Sequence, residues 1–257
     1  MITLFRRIRR KLLSENRITR YLLYALGEIL LVVIGILIAL QVNNWNQQRI
    51  QLNKEKVYLK EIRRSLLKDT TAQNRVVRFN RAKVEIINGL IVEMGKTKSK
   101  SAHLLYLFGT LNRVSPNEGN LVHYDVFEQN RAAFDNMVQA ENIDLIREDS
   151  LRFMLTEYYR GDIVESGTQE RVKQIVRDFT DLIIPWGITR ESAQLIMNLE
   201  TSYPSAEELE PINNPRVAGQ LFLMLKNAES QTAFLKEIQD NTIRIIERID
   251  RYLDSEQ

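Results

Sequence analysis

Two histidines and one acidic loop contain the residue types that could do chemistry, but neither arrangement forms a recognisable active site. His103 and His123 are the only histidines of the chain, and imidazole exchanges protons near neutral pH. They fall in different predicted helices, and neither has the further ligands in register that a metal site needs. Glu207, Glu208 and Glu210 could bind Ca²⁺, but the Asp and Asn spacing of a calcium loop is absent. We therefore predict surface or structural histidines, a solvated acidic loop and no metal site.

Motifs of enzymes are missing from the sequence. There is no nucleophile elbow, phosphate-binding loop, dinucleotide fingerprint or metalloprotease helix. The absence of cysteine excludes disulfides and cysteine-based metal or redox sites. Tyr158 and Tyr159, with Phe153, could line a pocket, but aromatic residues at helical spacing more often form core, and that is the role we predict. We predict no catalytic residue and no cofactor, so that the protein is not an enzyme.

Glu28 is the ionisable residue with the clearest functional interpretation, because it lies in an otherwise apolar stretch. A charge at the centre of a membrane helix costs about 2.5–3.5 kcal/mol on insertion scales, and less near an interface. Ala25, Glu28, Gly35 and Ala39 share one face of a helix, and small residues at such spacing let helices approach closely. We predict that this face, the contact seam, binds a second copy or another membrane protein. Two alternatives stay open: a carboxylate that reaches water or pairs with Arg20, and a proton-coupled group.

The stretch that holds the seam has the length of a membrane span. Residues 21–42 form a run of 22 in which Glu28 and Gln41 are the strongly polar side chains. As a helix, this run covers roughly 33 Å, enough for a hydrocarbon core of about 30 Å. A cleavable signal peptide would have a shorter apolar run and a small-residue cleavage site, which are absent. We predict a single transmembrane helix in the lipid bilayer, with Tyr21 and Trp45 as interfacial anchors.

Basic residues are concentrated ahead of this helix. Residues 1–20 contain seven basic residues and one acidic residue, whereas the remainder contains 29 basic and 32 acidic residues. A net acidic domain has no general attraction for phosphate backbones, so nucleic acid is not a predicted partner. Arg49, Lys54 and Lys56 are the basic residues among the first 15 after the span. Because flanking cations are retained in the cytoplasm, we predict a cytoplasmic leader at 1–20, an inner-membrane helix at 21–42 and a periplasmic domain at 43–257.

The predicted domain is helical almost throughout, since it has few glycines and prolines and its apolar residues recur at helical spacing. Two heptad series, typical of a coiled coil, consist of Trp45, Leu52, Leu59 and Leu66, and then of Val77, Val84 and Ile91. The 11-residue step between the series predicts a stutter and a break near residue 70, next to Asp69. Further helices are predicted at about 101–111, 121–139, 148–160, 163–184, 189–199 and 216–253, the last with a bend near 228–232. Loops are predicted at 112–120 and 203–215.

These elements predict an all-α fold. The transmembrane helix continues into a long stalk-like helix, which is followed by an antiparallel bundle, since the apolar stripes must face each other.

Two segments resemble a known family. They are YALGEILLVVIGILIALQVNNWN at 24–46, and the block at 124–159 that includes NIDLI and EDSLRFMLTEYY. Together they resemble a large group of uncharacterised membrane-anchored proteins of Bacteroidota bacteria, classed as a domain of unknown function. The resemblance implies a bacterial inner-membrane protein and supplies no activity, cofactor or catalytic residue. Family members usually show a Ser-Gly pair where this chain has Gln139-Ala140-Glu141, so we expect the local turn to differ.

The leading functional hypothesis is a non-enzymatic single-pass inner-membrane protein whose helical periplasmic domain binds protein partners or itself. The main alternative is a periplasmic ligand-sensing or accessory subunit of a membrane complex. An envelope enzyme and a proton-coupled subunit that uses Glu28 are the remaining alternatives.

Overall fold

The structure is a computed structural model that describes residues 18–96, 120–160, 168–187 and 215–255, together with positions 190, 194, 200, 202 and 205. Over these residues it forms five α-helices, one 3₁₀ turn and no strand, which confirms the all-α prediction. The helices are α1 (Ile18–Lys96), α2 (Ala132–Gln139), α3 (Asp149–Arg160), α4 (Thr168–Gly187) and α5 (Pro215–Ser255), and the 3₁₀ turn is Ile143–Leu145. The chain divides into two compact units, Met1–Val57 and Tyr58–Gln257.

In the first unit, α1 carries a long apolar surface. Its large apolar side chains from Leu22 to Val42 are between 46% and 73% exposed. Within the described residues, α1 is the one helix that is long and apolar enough to cross a membrane. Exposure of so many consecutive apolar side chains is unfavourable in water, so this part of α1 is compatible with a membrane anchor.

The predicted break near residue 70 is wrong, because α1 is continuous as far as Lys96. Thr70 and Thr71 each donate a hydroxyl hydrogen bond to the carbonyl oxygen of Leu67, at 2.8 and 3.0 Å, and so stay within the helix. A row of buried positions continues through the segment in alternating steps of three and four residues, as in an unbroken heptad. The row consists of Leu59, Ile62, Leu66, Asp69, Gln73, Val76, Asn80, Lys83, Ile87 and Leu90. We call this set the buried row of α1.

Helix α5 runs antiparallel to α1 within the second unit. Three side-chain contacts join them: Arg63 to Asp250 at 2.5 Å, Gln73 to Thr242 at 3.3 Å and Asn80 to Gln231 at 2.8 Å. As the α1 position advances from 63 to 80, its partner on α5 moves back from 250 to 231. The antiparallel arrangement that was predicted for the helices is therefore present in this pair.

Two apolar clusters fill the space around this pair. One combines the first part of the buried row with α2, α3 and the second half of α5, including Leu66, Met137 and Ile245. The other combines the end of α1 with α4 and the first half of α5, including Leu90, Phe179 and Leu221. The side chains of these clusters are close to fully buried, so they supply the hydrophobic stabilisation of the unit.

Four predicted elements can be compared with the described helices. The predictions at 148–160 and 163–184 correspond to α3 and α4, and the last predicted helix corresponds to α5, which is continuous through 228–232. The prediction at 121–139 is wrong in its first part, because only Ala132–Gln139 is helical. The predicted elements at 101–111, 112–120, 189–199 and 203–215 lie almost entirely outside the described residues.

The turn after α2 requires a backbone conformation that favours glycine. Glu141 has a φ of 55°, in the left-handed region. Its N–H donates to the carbonyl of Val138 at 3.0 Å, and the N–H of Asn142 donates to the carbonyl of Met137 at 3.0 Å. These two bonds form a Schellman motif, in which the residue after the C-cap is usually glycine. This is the turn at Gln139-Ala140-Glu141, which was expected to differ from the family pattern. The side chain of Glu141 adds strain to it.

Candidate functional site

A non-helical stretch crosses the second unit between α1 and α2. This crossing segment, Asn120–Arg131, is neither helix nor strand, so its backbone polar groups need partners from elsewhere. Side chains of the helices supply four of these partners. Three of them donate hydrogen bonds to carbonyls of the segment: Lys83 to His123 at 2.6 Å, Gln231 to Asp125 at 3.5 Å and Gln169 to Phe127 at 2.8 Å. The fourth, Asp69, accepts a hydrogen bond from the Asn130 N–H at 2.8 Å. Asp69 and Lys83, two of the four polar members of the buried row, are therefore tied to this segment.

Asp69 is the acidic residue at the centre of these contacts. Its side chain is 1% exposed and accepts hydrogen bonds from the Asn130 N–H and, at 2.9 Å, from the Tyr158 hydroxyl. Burial raises the pKa of Asp69, since a desolvated carboxylate is less stable, while the two hydrogen bonds act in the opposite direction. Burial is also the largest cause that raises the pKa of Tyr158. Asp69 and Tyr158 share the proton of their hydrogen bond. Because Asp69 also accepts from the Asn130 N–H, the two side chains form a fixed structural contact.

The two tyrosines that were predicted as core residues are completely buried. Tyr159 stacks on Phe134 with ring centroids 4.5 Å apart, and Tyr158 meets Tyr159 edge to face at 4.9 Å. Phe153 does not join them, since it is 66% exposed. Tyr159 Oη and Gln73 Oε1 are buried without a hydrogen-bond partner among the described residues. The core prediction is confirmed for the tyrosines and is wrong for Phe153.

Lys83 is the basic member of the buried row, and it is 4% exposed. Besides the hydrogen bond to His123, its Nζ lies 5.1 Å from the centroid of the Phe79 ring. Burial lowers the pKa of Lys83 from 10.5 to about 7. None of the salt bridges between described residues includes it. A buried lysine of this kind can act as an anion ligand or, when neutral, as a nucleophile or base.

Lys83 lines a cleft between α1, α4 and α5. The cavity volume of the cleft is about 10 Å³, which is room for about one water molecule. Its walls are apolar and include Val176 and Met224, while its polar groups are those of Asn80, Lys83, Asn227 and Gln231. Asn80 donates a hydrogen bond to Gln231 at 2.8 Å, so these two amides partly satisfy each other. Small-molecule sites usually measure about 300–1,000 Å³, so a space of this size fits water rather than a ligand.

The contact seam stays a prediction. Ala25, Glu28, Gly35 and Ala39 lie in the apolar part of α1, where Ala25 is half-buried and the other three are exposed. A Cβ added at Gly35 would meet nothing within 4 Å, so this side of the helix has room for a close neighbour.

The predicted interfacial anchors also lie in α1. Trp45 is 65% exposed, and its role as an interfacial anchor stays a prediction. Tyr21 lies within α1, but its side chain is outside the described set.

The other candidate residues do not assemble into a site within the described residues. The side chain of His123 is exposed, and the residue uses its backbone carbonyl to accept the Lys83 hydrogen bond. His103, Glu207, Glu208 and Glu210 lie outside the described residues. The described part of the chain has no group of three or more His, Asp or Glu that could hold a metal ion.

Comparison with known proteins identifies the family. The model of DUF6090, a family of unknown function, matches residues 28–164, which is more than half of the chain. The chain belongs to this family. No curated protein and no solved structure matches it. The region that matches DUF6090 includes Asp69, Lys83 and the crossing segment, whereas Gln231 and Thr242 lie beyond it. The partners of the buried row on α5 are thus contributed by sequence outside the family match.

Sequence reasoning missed the polar members of the buried row and their partners on α5. The signal that could have found them is the spacing itself. Asp69, Gln73, Asn80 and Lys83 occupy the positions at which an unbroken heptad from Leu66 would place core residues. A search for apolar residues alone interrupts the heptad at Leu66 and resumes it in a different register.

Proposed function

We propose that the protein is a non-enzymatic, single-pass inner-membrane protein whose helical periplasmic domain binds protein partners or a second copy of itself. The exposed apolar surface of α1 from Leu22 to Val42 is the observation that carries this proposal. The segment contains 14 leucines, isoleucines and valines. At about 0.3–0.6 kcal/mol each near the bilayer centre, they favour insertion by roughly 4–8 kcal/mol. This exceeds the cost of about 2.5–3.5 kcal/mol for one central charge, so Glu28 does not prevent insertion.

The basic leader supports the proposed orientation. Seven basic residues precede the span within 20 positions, and three follow it within 15. The excess of cations marks the side that stays in the cytoplasm, because translocating them is unfavourable. The second unit is then periplasmic. The resemblance of the anchor sequence to membrane-anchored bacterial proteins is consistent with this placement.

The helical domain offers an extended surface for partners. We infer that the buried row of α1 and its counterpart on α5 form an antiparallel coiled coil. Buried positions of α5 alternate in steps of three and four residues, in the same way as those of α1. They are Val217, Leu221, Met224, Ala228, Gln231, Leu235, Ile238, Thr242, Ile245 and Ile249. The outer faces of these helices are the surfaces that we propose for binding partners.

The contact seam supplies the proposed self-association surface within the membrane. Gly35 and Ala39 let a second helix approach, and the carboxyl group of Glu28 can form a hydrogen bond across the contact. Because the chain has no cysteine, single cysteines can be introduced without background. Oxidative crosslinking in native membranes is expected to give dimers for Ala39→Cys. Leu37→Cys, which lies on the opposite face of α1, is the matched control and is expected to stay monomeric.

Affinity purification of the full-length protein from native membranes, followed by quantitative mass spectrometry, tests for other partners. A protein that forms no crosslinked dimer and retains no partner would contradict the proposal. Labelling of a single cysteine at Lys54 by a membrane-impermeant maleimide tests orientation. The periplasmic placement predicts labelling in cells whose outer membrane alone has been permeabilised, and protection there would reverse the orientation.

A further inference from the structure

One face of α1 carries an excess of positive charge. Residues 60–81 contain seven basic and two acidic residues, although the chain beyond residue 20 is net acidic. Of the two acidic residues, Asp69 is buried, so Glu61 is the one exposed carboxylate of this stretch. Six basic residues of the stretch are exposed, and their spacing places them on one side of the helix, opposite the buried row. They are Lys60, Arg64, Lys68, Arg75, Arg78 and Arg81, they cover about 32 Å of helix axis, and we call them the basic stripe.

Most cations of the basic stripe have no anionic partner among the described residues. Arg75 is the exception, since it forms an ion pair with Asp125 at 2.8 Å. The side chains that form no ion pair with a described residue are those of Lys60, Arg64, Lys68, Arg78 and Arg81. Exposed cations of other helices do have such a partner, as Lys226 has in Glu229 at 2.8 Å. Because like charges at i and i+4 repel each other along a helix, an anionic partner would stabilise this face of α1.

The spacing of the basic stripe matches that of carboxylates on a second helix. Lys60, Arg64 and Lys68 follow each other at i, i+4, which is about 6 Å of helix rise per step. Glutamates at i, i+4 of a partner helix have the same separation. Leu67 lies on the same face of α1 and is 40% exposed, so it can contact an apolar side chain of that helix. Protein interfaces combine apolar contacts with charged groups in this way.

Other anionic partners match the stripe less well. Proteins that bind single-stranded nucleic acid supply exposed aromatic side chains on which bases stack. Phe79, the aromatic residue within 60–81, is 5% exposed and cannot provide such a surface. A second copy of the chain does not offer a row of carboxylates on α5, since its exposed charges there have both signs, as at Lys236 and Glu237. An acidic helix of another protein fits the charge, the spacing and the exposed leucine together.

We propose that the basic stripe of α1 binds an acidic α-helix of another protein, whose carboxylates face the unpaired cations and whose apolar side chains contact Leu67. This inference rests on the proposed function and deepens it, because it names the chemistry of the protein partner. The stripe lies wholly within the second unit, whereas the contact seam lies in the first, so the two surfaces can be tested separately.

Binding is measured by fluorescence anisotropy with the full-length protein in phosphatidylcholine nanodiscs. The probe is a labelled helical peptide of Glu-Ala-Ala-Leu-Glu-Ala-Ala heptads, with about 21 residues so that its length of about 32 Å equals that of the stripe. The same peptide with glutamine in place of glutamate is the neutral control. We expect saturable binding of the acidic peptide and no saturable binding of the neutral one. The affinity should fall between about 0.1 M and about 1 M salt, because the Debye length decreases from about 10 to about 3 Å.

Charge reversal locates the binding surface. Arg64→Glu combined with Arg78→Glu is expected to weaken binding of the acidic peptide by about tenfold or more, because two attractive contacts become repulsive. Lys236→Glu combined with Arg216→Glu is the matched control, since both residues are exposed on α5 and the net charge changes by the same amount. We expect the control to bind the peptide like the wild type. Leu67→Ser is expected to weaken binding less than the charge reversal and to leave its salt dependence unchanged.

Equal affinity for the acidic and neutral peptides, full affinity in the charge-reversed variant, or an equal loss in the control would each overturn the proposal. Circular dichroism checks that every variant is folded. If the charge-reversed variant does not fold, Lys60→Gln combined with Lys68→Gln decides the matter, because it removes two charges of the stripe without reversing them. Loss of affinity in that variant supports the stripe, and full affinity refutes it.

Single-stranded DNA and phosphatidylglycerol vesicles are tested with the same protein. Tighter binding of either one than of the acidic peptide would overturn the proposal and assign the stripe to a nucleic acid or a lipid surface. If the peptide does not bind but affinity purification retains protein partners, this inference fails and the proposed function stands. If the contact seam gives no dimer and no partner is retained, the proposed function fails, and binding of the peptide still tests the stripe.

Discussion

Replacement of Asp69 tests whether the buried carboxylate is needed for its charge or only for its hydrogen bonds. Asp69 accepts from the Asn130 N–H at 2.8 Å and from the Tyr158 hydroxyl at 2.9 Å. In Asp69→Asn, the amide oxygen can accept from Asn130, and the amide nitrogen can donate to a rotated Tyr158 hydroxyl. In Asp69→Ala, both partners lose their acceptor. The two variants therefore separate the charge from the contacts.

The expected magnitudes differ clearly between these variants. Each buried group left without a partner costs about 1–3 kcal/mol, so the loss of both partners in Asp69→Ala is expected to lower the free energy of unfolding by about 2–6 kcal/mol. Asp69→Asn keeps two hydrogen bonds and removes a charge whose burial is unfavourable, as the raised pKa of Asp69 shows. We expect its free energy of unfolding to stay within about 1 kcal/mol of the wild-type value. Tyr158→Phe, which removes one hydrogen bond and keeps the ring, is expected to cost about 1 kcal/mol.

The pH dependence gives a second criterion. Because the folded-state pKa of Asp69 is raised, the folded protein binds a proton more readily than the unfolded chain. The contribution of Asp69 to stability therefore increases as the pH falls through its folded-state pKa, and Asp69→Asn lacks this increase. Urea unfolding of the full-length proteins in micelles, followed by circular dichroism at about pH 5 and about pH 7.5, measures both effects. If Asp69→Asn is as unstable as Asp69→Ala at both pH values, the charge itself is required and the reasoning is refuted.

Three further predictions concern the same unit. Glu141→Gly removes the strain of a side chain at a left-handed φ of 55°, so we expect it to raise the free energy of unfolding by about 0.5–1 kcal/mol, whereas Ala140→Gly, at a φ of −82°, should lower it by a similar amount. Urea unfolding compares the two variants, and equal effects would contradict backbone strain at Glu141. Because the pKa of Lys83 is about 7 in the folded protein and 10.5 in the unfolded chain, the free energy of unfolding of the wild type should rise with pH between these values, and Lys83→Met in chloride buffer should lack this rise. An unchanged pH profile in Lys83→Met would refute the lowering of the Lys83 pKa by burial. Asn80→Leu or Gln231→Leu alone leaves a buried amide unpaired and should lower the free energy of unfolding by about 1–3 kcal/mol, while the double variant should lose less than the sum of the two. Additive losses in this double-mutant cycle would contradict the pairing of Asn80 with Gln231.

The sequence predicted the elements that apolar periodicity specifies. The membrane-compatible part of α1 is a continuous apolar run, and the stripe of α5 consists of apolar residues at helical spacing. Both patterns are visible in the sequence without knowledge of the fold. Leu235 and Ile249 of that stripe are 3% and 0% exposed. Helix α3 was predicted within one residue at its start, because its hydrophobic residues recur at helical spacing over its full length.

The crossing segment was not predicted, because its conformation depends on distant residues. Leu121–Gln139 contains no proline or glycine, and local propensity alone favours a helix there. Its carbonyls at His123 and Asp125 instead accept hydrogen bonds from Lys83, 40 positions earlier, and from Gln231, 106 positions later. Tertiary contacts that replace the internal hydrogen bonds of a helix are invisible to a local pattern.

The missed polar row and the missed crossing segment are two parts of one feature. A chain that packs irregular backbone against two long helices must supply partners for its N–H and C=O groups, since an unpaired buried group costs about 1–3 kcal/mol. Apolar residues at Asp69 and Lys83 would leave the Asn130 N–H and the His123 carbonyl without these partners. The polar residues are therefore required at core positions, although they interrupt the apolar pattern from which the core is predicted. In this chain, Asp69 and Lys83 keep the heptad spacing of the buried row and mark the places where non-helical backbone packs against it.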